Sequence, residues 1–255
     1  MSKRELSRDD VIGLLDQFCL ELKAVNFSGI ISLVGGAAIA LVYNHNRQFT
    51  TDIDALLPAH PEMSRIISKI AVENGLEFDW INSAVEEFIP FGLTDAWIFY
   101  EEIHGITVRI ASAPFLLALK LTAGRPRKDY KDIETLIDHL EIEDLSTCMS
   151  LVQKYQINRP VHNDTVDFVR KVLQRNQEER DEDIAAFDEA AMQTSKNSSL
   201  QELLDELGLT KEDAARIALQ NPDLSLIFKL ETLKSLRESP NGEYKFGAYP
   251  KDDER

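Results

Sequence analysis

The chain is poor in the residues that mark stapled, secreted or membrane-bound proteins. Among its 255 residues there are two cysteines. Cys19 and Cys148 lie far apart, in helical patterns and outside any CxxC or Cys/His spacing, which argues against a disulfide or zinc role. The histidines (His45, His60, His104, His139, His162) are scattered, and none pairs at metal-ligand spacing. No apolar run approaches the ~20 residues of a bilayer span. The segment MSKRELSRDD passes from mixed charge straight into an amphipathic pattern, without an apolar leader. The expectation is a cytoplasmic protein with no membrane partner. Basic charge is the other deficit: 28 Lys and Arg stand against 44 Asp and Glu, a formal net charge of -16. Gripping nucleic acid through its phosphates needs a basic surface. The balance therefore speaks against broad DNA or RNA binding, although it leaves room for a local basic groove.

Apolar residues make up 44% of the sequence, enough to bury a sizeable core in one large or two small domains. Val11, Leu14, Leu15, Phe18, Leu22 and Val25 recur at helical spacing, behind Ser7 as cap and Asp10 three residues on. SGIISLVGG reads as a buried strand stopped by glycines, AAIALVYNH as helix, and TDIDALLP as a strand ending at Pro58. PEMSRIISKIAVENG reads as a helix between Pro61 and Gly75. LEFDWINSAVEEFIPFG suggests a loop, a short helix and a turn. AWIFYEEIHGITVRIAS is a hairpin bending at His104-Gly105, and two helices follow. From about Glu143 only helical patterns remain. QTSKNSS is a polar break, Ser199 and Thr210 head two capping boxes, and a last helix runs from about Leu224 to Arg237. The order predicts an α+β protein: a small mixed β-sheet with helices packed on it, followed by an all-helical C-terminal region. The expected divisions are an N-terminal helix packing on the core (1–26), the strand-bearing core (27–157), the helical region (158–238) and a flexible tail (239–255). Val166, Val169, Val172 and Leu173 are expected to dock the helical region on the core.

Chemistry concentrates in GGAAIALVYNHNRQFTTDIDALL, Gly35 to Leu57. Side chains at i and i+2 of a strand share a face, so Asp52 and Asp54 project together while Ile53 turns to the core. Carboxylates ~6–7 Å apart along a strand repel and resist burial. A hard divalent cation offsets that cost, and Mg²⁺ favours one or two carboxylates plus substrate phosphates. Gly35 and Gly36, between a strand and a helix, let backbone N–H groups approach an anion closely. No GK[ST] follows and no G-x-G-x-x-G is present, which excludes a P-loop and a dinucleotide fingerprint. Alone, a DxD pair or a Gly-Gly turn is commonplace. The ordered set is far more specific.

VGGAAIALVYNHNRQFTTDIDALL resembles the signature of the DNA polymerase β nucleotidyltransferase superfamily. More closely, it is similar to a bacterial branch of nucleotidyltransferase-like proteins related to the AbiEii/MenT toxin group. The pattern of Arg47, Thr50, Asp52 and Asp54 carries that likeness, with DWIN (Asp79 to Asn82) and RIASAPFLLALKLTAGRPRKDYKDIETL (Arg109 to Leu136). It covers about residues 30–155. The resemblance implies a nucleotidyltransferase core. Asp52 and Asp54 would bind Mg²⁺ (or Mn²⁺), and Gly35, Gly36, Arg47, Thr51 and Arg127 would contact the nucleotide. Lys120 and Asp132, with Asp129, would take further catalytic or binding roles. It also implies an NTP as substrate, an acceptor such as tRNA, protein or a small molecule, and a cognate antitoxin as partner.

The residues themselves bear on these roles. Lys120 lies in FLLALKLTA, so it either snorkels to the surface or serves a buried anion. The resemblance makes that anion a triphosphate. Asp129 and Asp132 begin a helix, where the dipole alone stabilises acids. Arg125, Arg127 and Lys128 form the compact basic cluster nearby. Many superfamily members carry a third carboxylate on a later strand. Here GITVRIAS offers Arg109 instead, leaving Glu101 and Glu102 as substitutes if the register allows. The leading reading is an Mg²⁺-dependent nucleotidyltransferase. The competing one is a catalytically reduced nucleotide-binding or partner-binding module. Sequence-specific DNA binding is not expected: LQELLDELGLTKEDAARIAL resembles a helix-turn-helix, but it is acidic.

Overall fold

The computed structural model describes residues 3–44, 49–90, 92–193, 197–219, 229–230 and 233–234, with the side chains of residues 126–127, 183–200, 215 and 218–219 outside that description. Arg47, the Arg127 side chain, residues 194–196 of QTSKNSS, most of the expected last helix and the tail from residue 239 therefore lie outside it. The described chain forms two compact units, residues 1–173 and 174–255.

The first unit is built on five strands: β1 (Ile30–Leu33), β2 (Ile53–Leu56), β3 (Ile81–Asn82), β4 (Trp97–Ile103) and β5 (Ile106–Ala111). Their order is β3-β2-β1-β5-β4. β1 is antiparallel to β2 and parallel to β5, so the sheet is mixed. β4 and β5 form the hairpin, with His104 and Gly105 both at positive φ, as its two-residue turn requires. Helix α1 (Arg8–Ala24) begins at a complete capping box between Ser7 and Asp10. It buries Val11, Leu14, Leu15, Phe18, Cys19 and Leu22. Helix α2 (Gly35–Ala38) runs directly into a π-helical segment, Ile39–Tyr43. Helix α3 (Met63–Asn74) ends on Gly75 at φ 63°. Helices α4 (Ala113–Thr122), α5 (Pro126–His139) and α6 (Leu145–Lys154) complete the layer on the sheet. One continuous core joins them, and it includes Val169, Val172 and Leu173 of α7 (Asn163–Gln193), whereas Val166 is half-buried.

The α+β architecture is the expected one. Two local readings change. LEFDWINSAVEEFIPFG contains β3 where a loop is expected, and its short helix is the 3₁₀ turn Glu86–Phe88. Helix α8 (Asn197–Leu207) begins two residues before Ser199, so that residue lies inside the helix and does not head it. Thr210 does head α9 (Lys211–Leu219), exchanging hydrogen bonds with Asp213. Leu204, Leu207, Ala214 and Leu230 form a separate small core in the second unit. Among the described residues, no helix is long and apolar enough to cross a membrane.

Candidate functional site

The end of β1 is drawn onto β2 by a hydrogen bond from Val34 N–H to the Asp54 carbonyl, 2.9 Å. This sets Gly35 against the Asp54 side chain. A Cβ on Gly35 would lie 2.5 Å from Asp54 Oδ2, and Gly35 has φ +65°. Only glycine satisfies both the left-handed backbone and the close approach. The glycine turn and the DxD strand are thus one construction.

Both form part of a cavity of about 390 Å³. Gly35, Gly36, Thr51, Asp52, Asp54, Lys120, Asp129 and Asp132 all line it, so most of the expected site residues converge. Burial, then the charge of Asp52, push the Asp54 carboxyl above its ordinary range, against opposing effects of Lys120, Arg125 and a hydrogen bond from Asn82. Asn82 is the register partner of Asp54 on β3. Asp52 is less enclosed. Thr51 Oγ1 lies 3.4 Å from Asp52 Oδ1, and Thr50 donates to the Asp52 carbonyl at 3.0 Å.

Lys120 does not snorkel. It is 9% exposed, and its Nζ lies 2.6 Å from Asp129 Oδ1 and 2.8 Å from Asp132 Oδ2. The buried anion that the apolar helix demands is supplied by the first turns of α5. Arg125 Nε stands 3.5 Å from Asp129 Oδ2. Arg125 and Lys128 are exposed at the cavity.

The substitutes for a third carboxylate are not at the site. Glu101 and Glu102 are exposed on edge strand β4, separated from β2 by β1 and β5. Arg109 donates from Nε to Ser32 Oγ at 2.6 Å, and its guanidinium lies 4.7 Å from the Trp97 ring centroid. It stabilises the sheet face. Among the described residues, no group of three or more His, Cys, Asp or Glu could hold a metal ion.

Several cavity residues were invisible to pattern reading. The segment before α1 pairs with the DxD loop: Leu6 and Thr50 exchange backbone hydrogen bonds of 2.6 and 2.9 Å. That pairing brings Glu5 to the cavity, while Lys3 lies 2.5 Å from Asp79 and 3.9 Å from Asp52. Phe49, Phe88 and Arg159 complete the wall. None carries a local signal, because each arrives by tertiary packing of a loop.

The chain matches no family model and no curated protein. Among solved structures it is similar to an antigenic nucleotidyltransferase-like protein from Paracoccidioides brasiliensis, at 14% identity and a TM-score of 0.38, over 64% of this chain and 95% of that one.

Proposed function

We propose that the protein is a nucleotidyltransferase that moves an NMP from an NTP to an acceptor hydroxyl. The observation that carries this is the contact of Gly35 with the Asp54 carboxylate. It makes a glycine turn suited to phosphate and a carboxylate pair suited to a cation parts of one cavity. The donor set suits Mg²⁺ (or Mn²⁺). It consists of two carboxylates and no softer ligand, in a place where burial and mutual repulsion already disfavour the charged form of Asp54. Such a cation, held by Asp52 and Asp54 together with phosphate oxygens, would polarise the reacting phosphoryl group. The protein's own part is positional. Gly35 lets the turn close on the Asp54 carboxylate, and the backbone N–H groups of Gly35 and Gly36 would meet phosphate oxygens. Arg125 and Lys128 add positive charge at the mouth. Asp129 and Asp132 hold Lys120 at the cavity wall, where it offsets the charge of the leaving pyrophosphate. Thr51 lies beside the pair; Arg47 and Arg127 are assigned to the nucleotide by resemblance alone.

The acceptor is a hydroxyl of tRNA, protein or a small molecule, and the family likeness suggests a toxin kept in check by an antitoxin. A second reading is a nucleotide-binding module without turnover. It is favoured because, among the described residues, no group of three or more His, Cys, Asp or Glu could hold a metal ion. The deciding experiment incubates the protein with each of four α-labelled NTPs, Mg²⁺, total tRNA and cell extract. Transfer of label to a macromolecule, lost in Asp52→Ala/Asp54→Ala, is expected. Mg²⁺-dependent NTP binding without transfer supports the module. No NTP binding at all sinks both.

A further inference from the structure

We propose that Phe88 and Arg159 form the nucleobase platform of the cavity, with the base stacking on the guanidinium face turned away from the phenyl ring. This rests on the nucleotidyltransferase reading, and it names the part of the substrate which that reading leaves unplaced.

The Arg159 guanidinium carbon lies 4.1 Å from the Phe88 ring centroid, and both residues line the cavity. They come from segments far apart in sequence, and the backbone at each is held by packing and hydrogen bonds. Phe88 closes the 3₁₀ turn Glu86–Phe88. That turn follows Asn82, whose Oδ1 accepts the Ala84 N–H at 3.0 Å, and its flanks Val85 and Ile89 pack on the core. Arg159 is set by Ile157, which is 7% exposed, and by its own N–H donating to the Ile157 carbonyl at 2.8 Å. Pro160 follows and restricts the Arg159 backbone.

Charge pairing separates Arg159 from Lys120 and Arg125, and its planar guanidinium separates it from Lys128. Lys120 is committed to Asp129 and Asp132, and Arg125 leans on Asp129. Among the described residues, no carboxylate forms an ion pair with Arg159. Its guanidinium lies against an aromatic face. A guanidinium is planar and weakly hydrated, and it stacks on π-systems from either side. Stacking of this kind takes any base, because every base has a π-face. Val85 and Leu119, which line the same cavity, are apolar, as a base requires and a phosphate does not. Phe49, 50% exposed, adds a second aromatic surface to the same cavity.

The test is calorimetric titration of full-length protein in Mg²⁺ with NTPs and, separately, with inorganic tripolyphosphate. Arg159→Lys keeps the charge and loses the plane; Phe88→Leu keeps apolar bulk and loses the ring. Each is expected to weaken NTP binding about tenfold and to leave tripolyphosphate binding within about twofold. If Arg159→Lys weakens both ligands equally, Arg159 is a phosphate ligand and the platform is overturned. If the wild type binds NTP no more tightly than tripolyphosphate, there is no base site, though the phosphate site stands. If it binds neither, the platform and the nucleotidyltransferase reading fall together. Should Phe88→Leu melt early, the exposed Arg159 variant decides.

Discussion

Asp54 sits where burial and the neighbouring charge of Asp52 raise its pKa above the ordinary value of 3.8. The sign of the linked stability follows. The folded state holds this proton more tightly than the unfolded chain, so stability falls as pH rises from 3.8 through the raised folded value. Above that window the loss is constant, and below it the loss is absent. Asp54→Asn should therefore melt higher than the metal-free wild type at neutral pH, with the two melting temperatures converging in acid. Each kcal/mol regained is worth ~2–4 °C in a domain of this size. Paired thermal melts from pH 3 to pH 8 check it, and a variant that melts lower at neutral pH would show that the carboxylate stabilises the fold. Gly35→Ala faces the opposite balance. Its Cβ would meet Asp54 Oδ2 at 2.5 Å, at a backbone φ of +65° that costs a non-glycine residue about 1–2 kcal/mol. We expect loss of Mg²⁺-dependent NTP binding together with a lower melting temperature. Unchanged binding would separate the glycine turn from the site. These two positions were legible in the sequence because their geometry is local: i and i+2 on a strand, and a glycine at a strand-to-helix turn. The partners of Lys120 were not, since an apolar helix shows that a buried anion is needed but not which one.

Among the described residues, the most deeply buried ion pairs link α4 to α5. Lys120 is 9% exposed and Asp129 1%, so neither charge has much water to fall back on. Removing the cation alone leaves two buried carboxylates without the charge they share, Asp129 keeping only the exposed Arg125 at 3.5 Å, and breaking a buried pair typically costs about 3–5 kcal/mol. Lys120→Met should thus lower the melting temperature by roughly 6–20 °C. The combined Lys120→Met/Asp129→Asn/Asp132→Asn protein should recover much of it, because all three buried charges are gone together. A single variant as stable as wild type would mean that the ion pair is structurally idle. β3 teaches the complementary lesson. Two residues cannot show alternation, so no periodicity announces this strand. Yet Asn82 both partners Asp54 and accepts the Ala84 N–H that opens the turn bearing Phe88. Asn82→Ala should destabilise by about 1 kcal/mol and weaken Mg²⁺-dependent binding more than a melting shift of that size implies. Binding that merely tracks the folded fraction would reduce Asn82 to a turn residue. The longer elements were legible because each carries its own punctuation: Ser7 and Asp10 at the start of α1, Gly75 after α3, and His104-Gly105 between β4 and β5.

At the scale of the molecule, the change from strands to helices and the division of contacts are different boundaries. Strand patterns cease well before residue 155, and after the break around Pro160 the sequence offers no further marker until the polar stretch beyond Met192. The contact division instead falls between Leu173 and Gln174, inside the continuous helix α7. Amphipathic spacing shows that Val169, Val172 and Leu173 face something apolar, but it does not name the partner surface. Packing assigns these side chains to the same core as the sheet. Fully burying three such residues contributes about 1.5–3 kcal/mol each, an upper bound because the unfolded chain is itself partly collapsed. That sum is comparable with the whole 5–15 kcal/mol that holds a typical domain together. A fragment of residues 1–155 keeps every described residue assigned to the carboxylate and phosphate site, yet it exposes the surface those three side chains cover. We expect it to aggregate or to melt without cooperativity. A fragment of residues 1–173 should remain soluble, melt in one transition and retain Mg²⁺-dependent tripolyphosphate binding. Melting and calorimetry of the two fragments side by side decide the matter. A cooperative, binding-competent 1–155 fragment would mean that the start of α7 is an attachment to the nucleotide-binding unit rather than part of its core.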